Sequence, residues 1–190
     1  MSADGYVQLQ RAVKIDPDFI KLTPAGQWLY FQLLLDVNHI GVADWRPKRL
    51  MDRAELATMD YVMAAALDLV ENHFAVIDTH SEEILVRTYM KHDGAHKQPN
   101  TCTSMVNAFG RVGSPTLRAV ITHELIKIWD GIERGLAAGN PSKPDIVAAL
   151  RKRWNILETI LGHPQIDAAE AYEVLLAKGR AVTAESMHAA

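Results

Sequence analysis

Apolar positions along the chain fall into two rhythms, and the changes of rhythm mark out its elements. Trp28, Leu29, Phe31 and Leu35 follow Thr23-Pro24, where the hydroxyl can cap orphan amides and proline suits the first helical turn. A helix is therefore predicted from there to about Asn38. Gly41-Val42-Ala43 reads as a short extended piece, and Asp44-Trp45-Arg46-Pro47 opens a brief second helix that turns Leu50 and Ala54 inward. From a Thr58 cap, Met59, Val62, Met63, Ala66, Leu69 and Val70 recur at three- and four-residue spacing, the mark of one buried stripe on a third helix ended by Asn72-His73. Phe74-Ala75-Val76-Ile77-Asp78 and Ile84-Leu85-Val86-Arg87-Thr88-Tyr89 are β-branched and aromatic-rich, with the polar Thr79 to Glu83 between them, which predicts a hairpin.

The order helix, short strand, helix, helix, strand, turn, strand is that of a winged helix, in which a helix-turn-helix pair is backed by a small antiparallel sheet. Beyond it the helical rhythm takes over. A polar, turn-rich stretch from His92 to Asn100 is followed by a short helix over Thr101 to Phe109, and Ser114-Pro115 starts a longer one with Leu117, Val120, Ile121, Leu125, Ile128 and Ile132 on one face. Gly139 and Asn140-Pro141 supply its stop, with a hinge candidate at Asn140 to Pro144. Pro144 leads into Ile146, Leu150, Trp154, Leu157 and Leu161, and Asp167 with Glu170 predicts a cap for a last short helix carrying Tyr172 and Leu175. No internal repeat is visible. The predicted fold class is mostly α with a small β-hairpin: a winged helix-turn-helix domain over residues 1–95, a helical region over 96–180, and a disordered tail over 181–190. On that division a fragment ending near Asn100 is expected to fold alone.

Composition narrows the field. The chain has 190 residues, enough to bury a core, and a formal net charge of -3, which denies it the global positive field that drives nonspecific nucleic-acid binding. Any such binding must rest on a local patch. Cys102 is the only cysteine, so there is no intrachain disulfide and no cysteine-based zinc site, which fits a reducing cytoplasm. The start lacks the basic-then-apolar order of a secretory signal, and the most apolar stretch, Trp28 to Leu35, is stopped by Asp36, so a cytoplasmic protein without membrane contact is expected.

Lys14-Ile15-Asp16 through Gly41-Val42, then Phe74 to Asp78, Ile84-Leu85-Val86 and Lys91-His92, together resemble the amino-terminal domain of phage replisome-organiser and replication-initiation proteins. The continuation Asp93-Gly94-Ala95-His96-Lys97-Gln98-Pro99-Asn100 is similar to the version found in actinobacterial phage and prophage proteins. The resemblance covers roughly the first half of the chain and implies a winged helix acting in DNA metabolism.

The third helix departs from that expectation. Its outward positions read as Asp60, Tyr61, Ala64, Ala65, Asp68 and Glu71, and carboxylates there repel phosphate, while a base-reading helix presents Arg, Asn or Gln. Positive charge lies beside it. Arg46, Arg49 and Arg53 fall at helical spacing with Lys48, Arg87, Lys91 and Lys97 follow the hairpin, and a second cluster comprises Lys143, Arg151, Lys152 and Arg153 next to Trp154. Each run also has the bland reading of a solvated face. His92 and His96 stand four apart, but without the glutamate of a metalloprotease helix and with Gly94 between them they read as a loop without metal. No nucleophile elbow, phosphate-cradling loop or carboxylate pair is present, and Cys102 reads as an inert thiol, so no enzyme and no cofactor is expected.

The leading expectation is thus a DNA-binding protein that contacts the phosphate backbone, in replication initiation or replisome organisation. A replication or host protein would be its partner, and the later apolar stripes would close on each other, on the winged helix or on a second copy. The alternatives are a protein-interaction adaptor whose acidic third helix is the docking face, and a transcriptional regulator.

Overall fold

The computed structural model describes residues 13, 15–55, 57–93, 95–138 and 144–184. The chain is mostly helical with one small three-stranded antiparallel sheet. Among the described residues a short helix that apolar spacing does not announce comes first, α1 (Pro17–Lys21), capped by the Asp16 carboxylate on the Asp18 amide. Thr23 caps α2 (Pro24–Leu34) through the Gly26 amide, as predicted. Then come β1 (Val42–Asp44), the brief α3 (Pro47–Met51) and α4 (Met59–Glu71), where the Thr58 hydroxyl accepts from the Tyr61 amide. β2 (Ala75–Asp78) and β3 (Glu83–Val86) form the expected hairpin. The strand predicted to reach Tyr89 stops at Val86, because the chain turns into α5 (Tyr89–Asp93), which plants Met90 fully in the core. After a 3-10 turn (Ala95–Lys97) the remaining helices are α6 (Pro99–Phe109), α7 (Pro115–Ala138), α8 (Pro144–Leu161) and α9 (Ala168–Ala177). The predicted stop and hinge over 139–143, and with them Lys143, lie outside the described residues.

β3 is the central strand, in the order β1-β3-β2, with Leu85 opposite both Val42 and Val76 and Ile84 opposite both Ala43 and Ile77. Side chains alternate across a strand, and here both sets are buried. Ala43, Ala75, Ile77, Ile84 and Val86 enter a core with Leu29, Leu33, Val62, Ala66 and Leu69 of α2 and α4. Val42, Val76 and Leu85 enter a second core with Met105, Phe109, Leu117, Ile121 and Leu175 of α6, α7 and α9. The sheet is the middle layer of three, so the division at residue 95 does not separate two cores. The later helices finish the sheet that the earlier ones begin, and the fragment ending near Asn100 would leave one sheet face bare.

Two glycines permit close approaches in the first half. A Cβ on Gly26 would collide with the Asp68 carboxylate, which accepts from the Thr23 amide at 2.8 Å and its hydroxyl at 2.7 Å and so ties α2 to α4. Gly41 has φ +83°, and a Cβ there would lie 2.8 Å from the Val86 carbonyl. Ala65, read as outward, is fully buried, because α4 is covered on two sides, by α2 and by α3.

The late apolar stripes are also used internally. Leu117, Ile121, Leu125, Leu150 and Leu157 are buried, and Trp129 of α7 meets Trp154 of α8 at a ring-centroid distance of 4.3 Å. Ala181 and Val182, placed by the sequence in a disordered tail, are buried, and the Arg180 carbonyl accepts from both the amide and the hydroxyl of Thr79. Residues 185–190 lie outside the description.

Candidate nucleic-acid interface

α3 and its flanks carry four cations, Arg46, Lys48, Arg49 and Arg53, and the fold builds clefts on both sides of this helix. Pro47 starts the helix, Leu50 anchors it in the core, and Arg46, Lys48 and Arg49 are left exposed. On one side Arg46, Arg49 and Arg53 line a cleft of about 580 Å³ together with Arg111, from the turn between α6 and α7. On the other, Arg46, Lys48 and Arg49 rim an open groove floored by Trp45, Met59 and Met63. The three arginines expected to act together do share a cleft, but not as one helical face: Arg46 is the N-cap of α3 and Arg53 lies beyond its end.

Their electrostatic states differ. Arg53 is engaged by Asp36 at 2.6 Å and by the Gln32 carbonyl at 3.2 Å. Arg46 pairs with Asp44 at 3.1 Å, but both side chains are well exposed, and such a pair contributes only about 0–1 kcal/mol, so phosphate can exchange for the carboxylate. Lys48, Arg49 and Arg111 make no ion pair among the described residues. Glu83 also lines the cleft, but its carboxylate accepts from the amides of Gly113 and Ser114, both at 2.8 Å, at the start of α7. Those amides offset its charge.

The same contacts decide what the hairpin can do. Glu82 is exposed in its turn. Asp78, at the end of β2, is buried, accepts from the Ser114 hydroxyl at 2.6 Å, and that hydroxyl in turn caps α7 through the Leu117 amide. With Thr79 bound to Arg180, the hairpin end is docked on the later helices.

Arg87 was expected to flank the DNA site. Its guanidinium instead donates to the Glu124 carboxylate at 2.9 Å and to the His73 carbonyl at 2.6 Å, so it joins the hairpin to α7 and is not spare for phosphate. Lys91 and Lys97 are exposed. Of the second cluster, Arg151 and Lys152 are exposed on α8, and Arg153 donates to the Lys97 carbonyl at 2.8 Å. That bond brings the Lys97 flank and the α8 cluster together.

α4 presents Asp60, Tyr61, Ala64 and Glu71, with Tyr61 tilted against Trp28 of α2. Asp68, counted among its outward carboxylates, is committed to Thr23 and Asn72. His96 is buried with Nδ1 3.2 Å from the Met90 carbonyl, and burial, with Lys91 beside it, holds His92 below the ordinary imidazole value. Among the described residues no cluster of three or more His, Cys, Asp or Glu could hold a metal, and no helix is long and apolar enough to cross a membrane. Cys102 is buried, and burial raises its thiol above the usual value against the opposing pull of Arg153.

Sequence reasoning missed Arg111, a lone arginine in a Gly-flanked turn. A signal was available: no Asp or Glu occurs between Asp93 and Glu124, an acid-free run in an otherwise acidic chain. Comparison of the chain with descriptions of protein families, with curated proteins and with solved structures found no match.

Proposed function

We propose that the chain is a DNA-binding protein of winged-helix type that holds the phosphate backbone through α3 and the turn after α6, in a phage-type replication-initiation or replisome-organising role. The observation that carries the binding is the cleft in which Arg46 and Arg49 from the first half of the chain meet Arg111 from the second, with Arg49 and Arg111 lacking any carboxylate partner among the described residues. Guanidinium forks match phosphate oxygens bidentately, and converging forks from separate elements fix the orientation of a bound backbone. The element order α2-β1-α3-α4-β2-β3 and the strand order β1-β3-β2 support the winged-helix reading. The replication role rests on the sequence resemblance alone.

The test is binding of a fluorescent duplex at several salt concentrations. Replacing Lys48, Arg49 and Arg111 with alanine is expected to reduce the magnitude of the salt slope by roughly 3, at about 0.9 per phosphate contact. An unchanged slope in a folded variant would remove this patch. The competing adaptor reading is favoured by one feature, the acidic face of α4 beside the Trp28–Tyr61 pair. It expects no salt-dependent DNA binding by the unmodified chain.

A further inference from the structure

In a winged helix the second helix of the helix-turn-helix pair is the one that enters the groove. In this chain that helix is α4, and Asp60 and Glu71 on its exposed side oppose phosphate. α6 has the opposite character. Its inner face buries Cys102, Met105 and Phe109, and the outer one exposes Asn100, Thr103 and Asn107, at the three- and four-residue spacing of a single helical stripe. The carboxamides of Asn100 and Asn107 make no hydrogen bond among the described residues, so each offers both a donor and an acceptor outward. No carboxylate belongs to this helix or to its flanking turns.

Positive groups stand at both ends of α6. At its end, Ala108 and Arg111 line the cleft that also holds Arg46 and Arg49. At its start, the Lys97 carbonyl receives Arg153 of α8, and Arg151 and Lys152 are exposed on that same helix. A helix of this length spans about 16 Å, enough to reach across a major groove about 12 Å wide with a phosphate strand at each end. We propose that duplex DNA lies along the exposed face of α6, clamped by Arg49 and Arg111 at one end and by Lys97, Arg151 and Lys152 at the other, with Asn100, Thr103 and Asn107 facing the groove between. This inference rests on the nucleic-acid reading above and moves the reading element from α4 to α6. Carboxamides and hydroxyls at these positions serve phosphates and base edges alike, which is the chemistry a groove-facing helix needs.

The experiment measures duplex affinity and thermal melting of the full chain in three variants. Thr103→Glu with Asn107→Glu is expected to weaken binding at least tenfold, Asn107→Lys to tighten it severalfold, and Ala64→Glu on α4 to leave it unchanged. Asn107→Lys keeps the test decisive should the doubly acidic variant fail to fold. Parental affinity in both α6 variants, or loss confined to Ala64→Glu, overturns the placement. If in that case the variant lacking Lys48, Arg49 and Arg111 still loses its salt slope, the α3 cleft stands and α6 alone falls. A parent chain that binds no duplex at any salt overturns both.

Discussion

Arg87 illustrates how the worth of a charged residue depends on what reaches it. Its guanidinium sits between the Glu124 carboxylate and the His73 carbonyl, and Glu124 is nearly buried, with Lys127 3.6 Å away as its other cation. Arg87→Ala strips a largely desolvated carboxylate of its best donor, and hydrogen bonds to charged groups are worth about 1.5–3 kcal/mol. The variant is expected to lose about that much stability in urea titration while keeping the parental salt slope on DNA. Loss of the slope with unchanged stability would return Arg87 to the interface. Local chemistry of this kind was legible where partners are close in sequence: the Thr23, Thr58 and Asp167 caps all form as spacing predicts. It was not legible for Arg87 or Arg111, since Glu124 lies 37 residues from the one and the α3 cleft comes from the other half of the chain. Spacing carries no information about such meetings.

At the scale of elements, the hairpin holds the lesson. Phe74 to Ile77 and Ile84 to Val86 are uninterrupted apolar runs, and a strand with one face in water alternates instead. The absence of alternation was visible in the sequence and marks a sheet covered on both sides, which a hairpin with one free face does not need. Helix positions and the strand pair could be read from periodicity, whereas the covering of the second face depends on α6, α7 and α9 returning to it. A fragment ending at Asn100 leaves Val42, Val76, Leu85 and Met90 without their neighbours. It is expected to show no cooperative melt by circular dichroism, in contrast to the full chain. A sharp transition in the fragment would mean that the first core suffices.

Across the whole molecule, Leu117, Ile121, Leu125 and Leu157 of the stripes that suggested self-association are buried within the chain. Leu157 is 1 % exposed, inside the core shared by α6, α7 and α8, and Leu150 is 7 % exposed. Leu157→Asp would bury an unpaired carboxylate and is expected to abolish the cooperative transition. A folded variant of altered mass by light scattering would make the stripe an interface after all. The two halves are therefore expected to unfold as one cooperative unit, and the proposed DNA site depends on that unity, since its cleft is lined by Arg49 from one half and Arg111 from the other.

The bond from Thr79 to Arg180 joins positions 101 residues apart, and Ala181 and Val182 close the packing beside it. A ribosome makes the hairpin first and its closing segment 101 residues later, at about 5–20 residues per second. For several seconds the nascent chain carries β2 as an open edge with Val76 uncovered, and such edges pair with neighbouring chains. Synthesis of this protein is thus expected to have a vulnerable interval that shortens as α6, α7 and α9 cover Val76 and ends when Arg180 meets Thr79, and a holding chaperone would act within it.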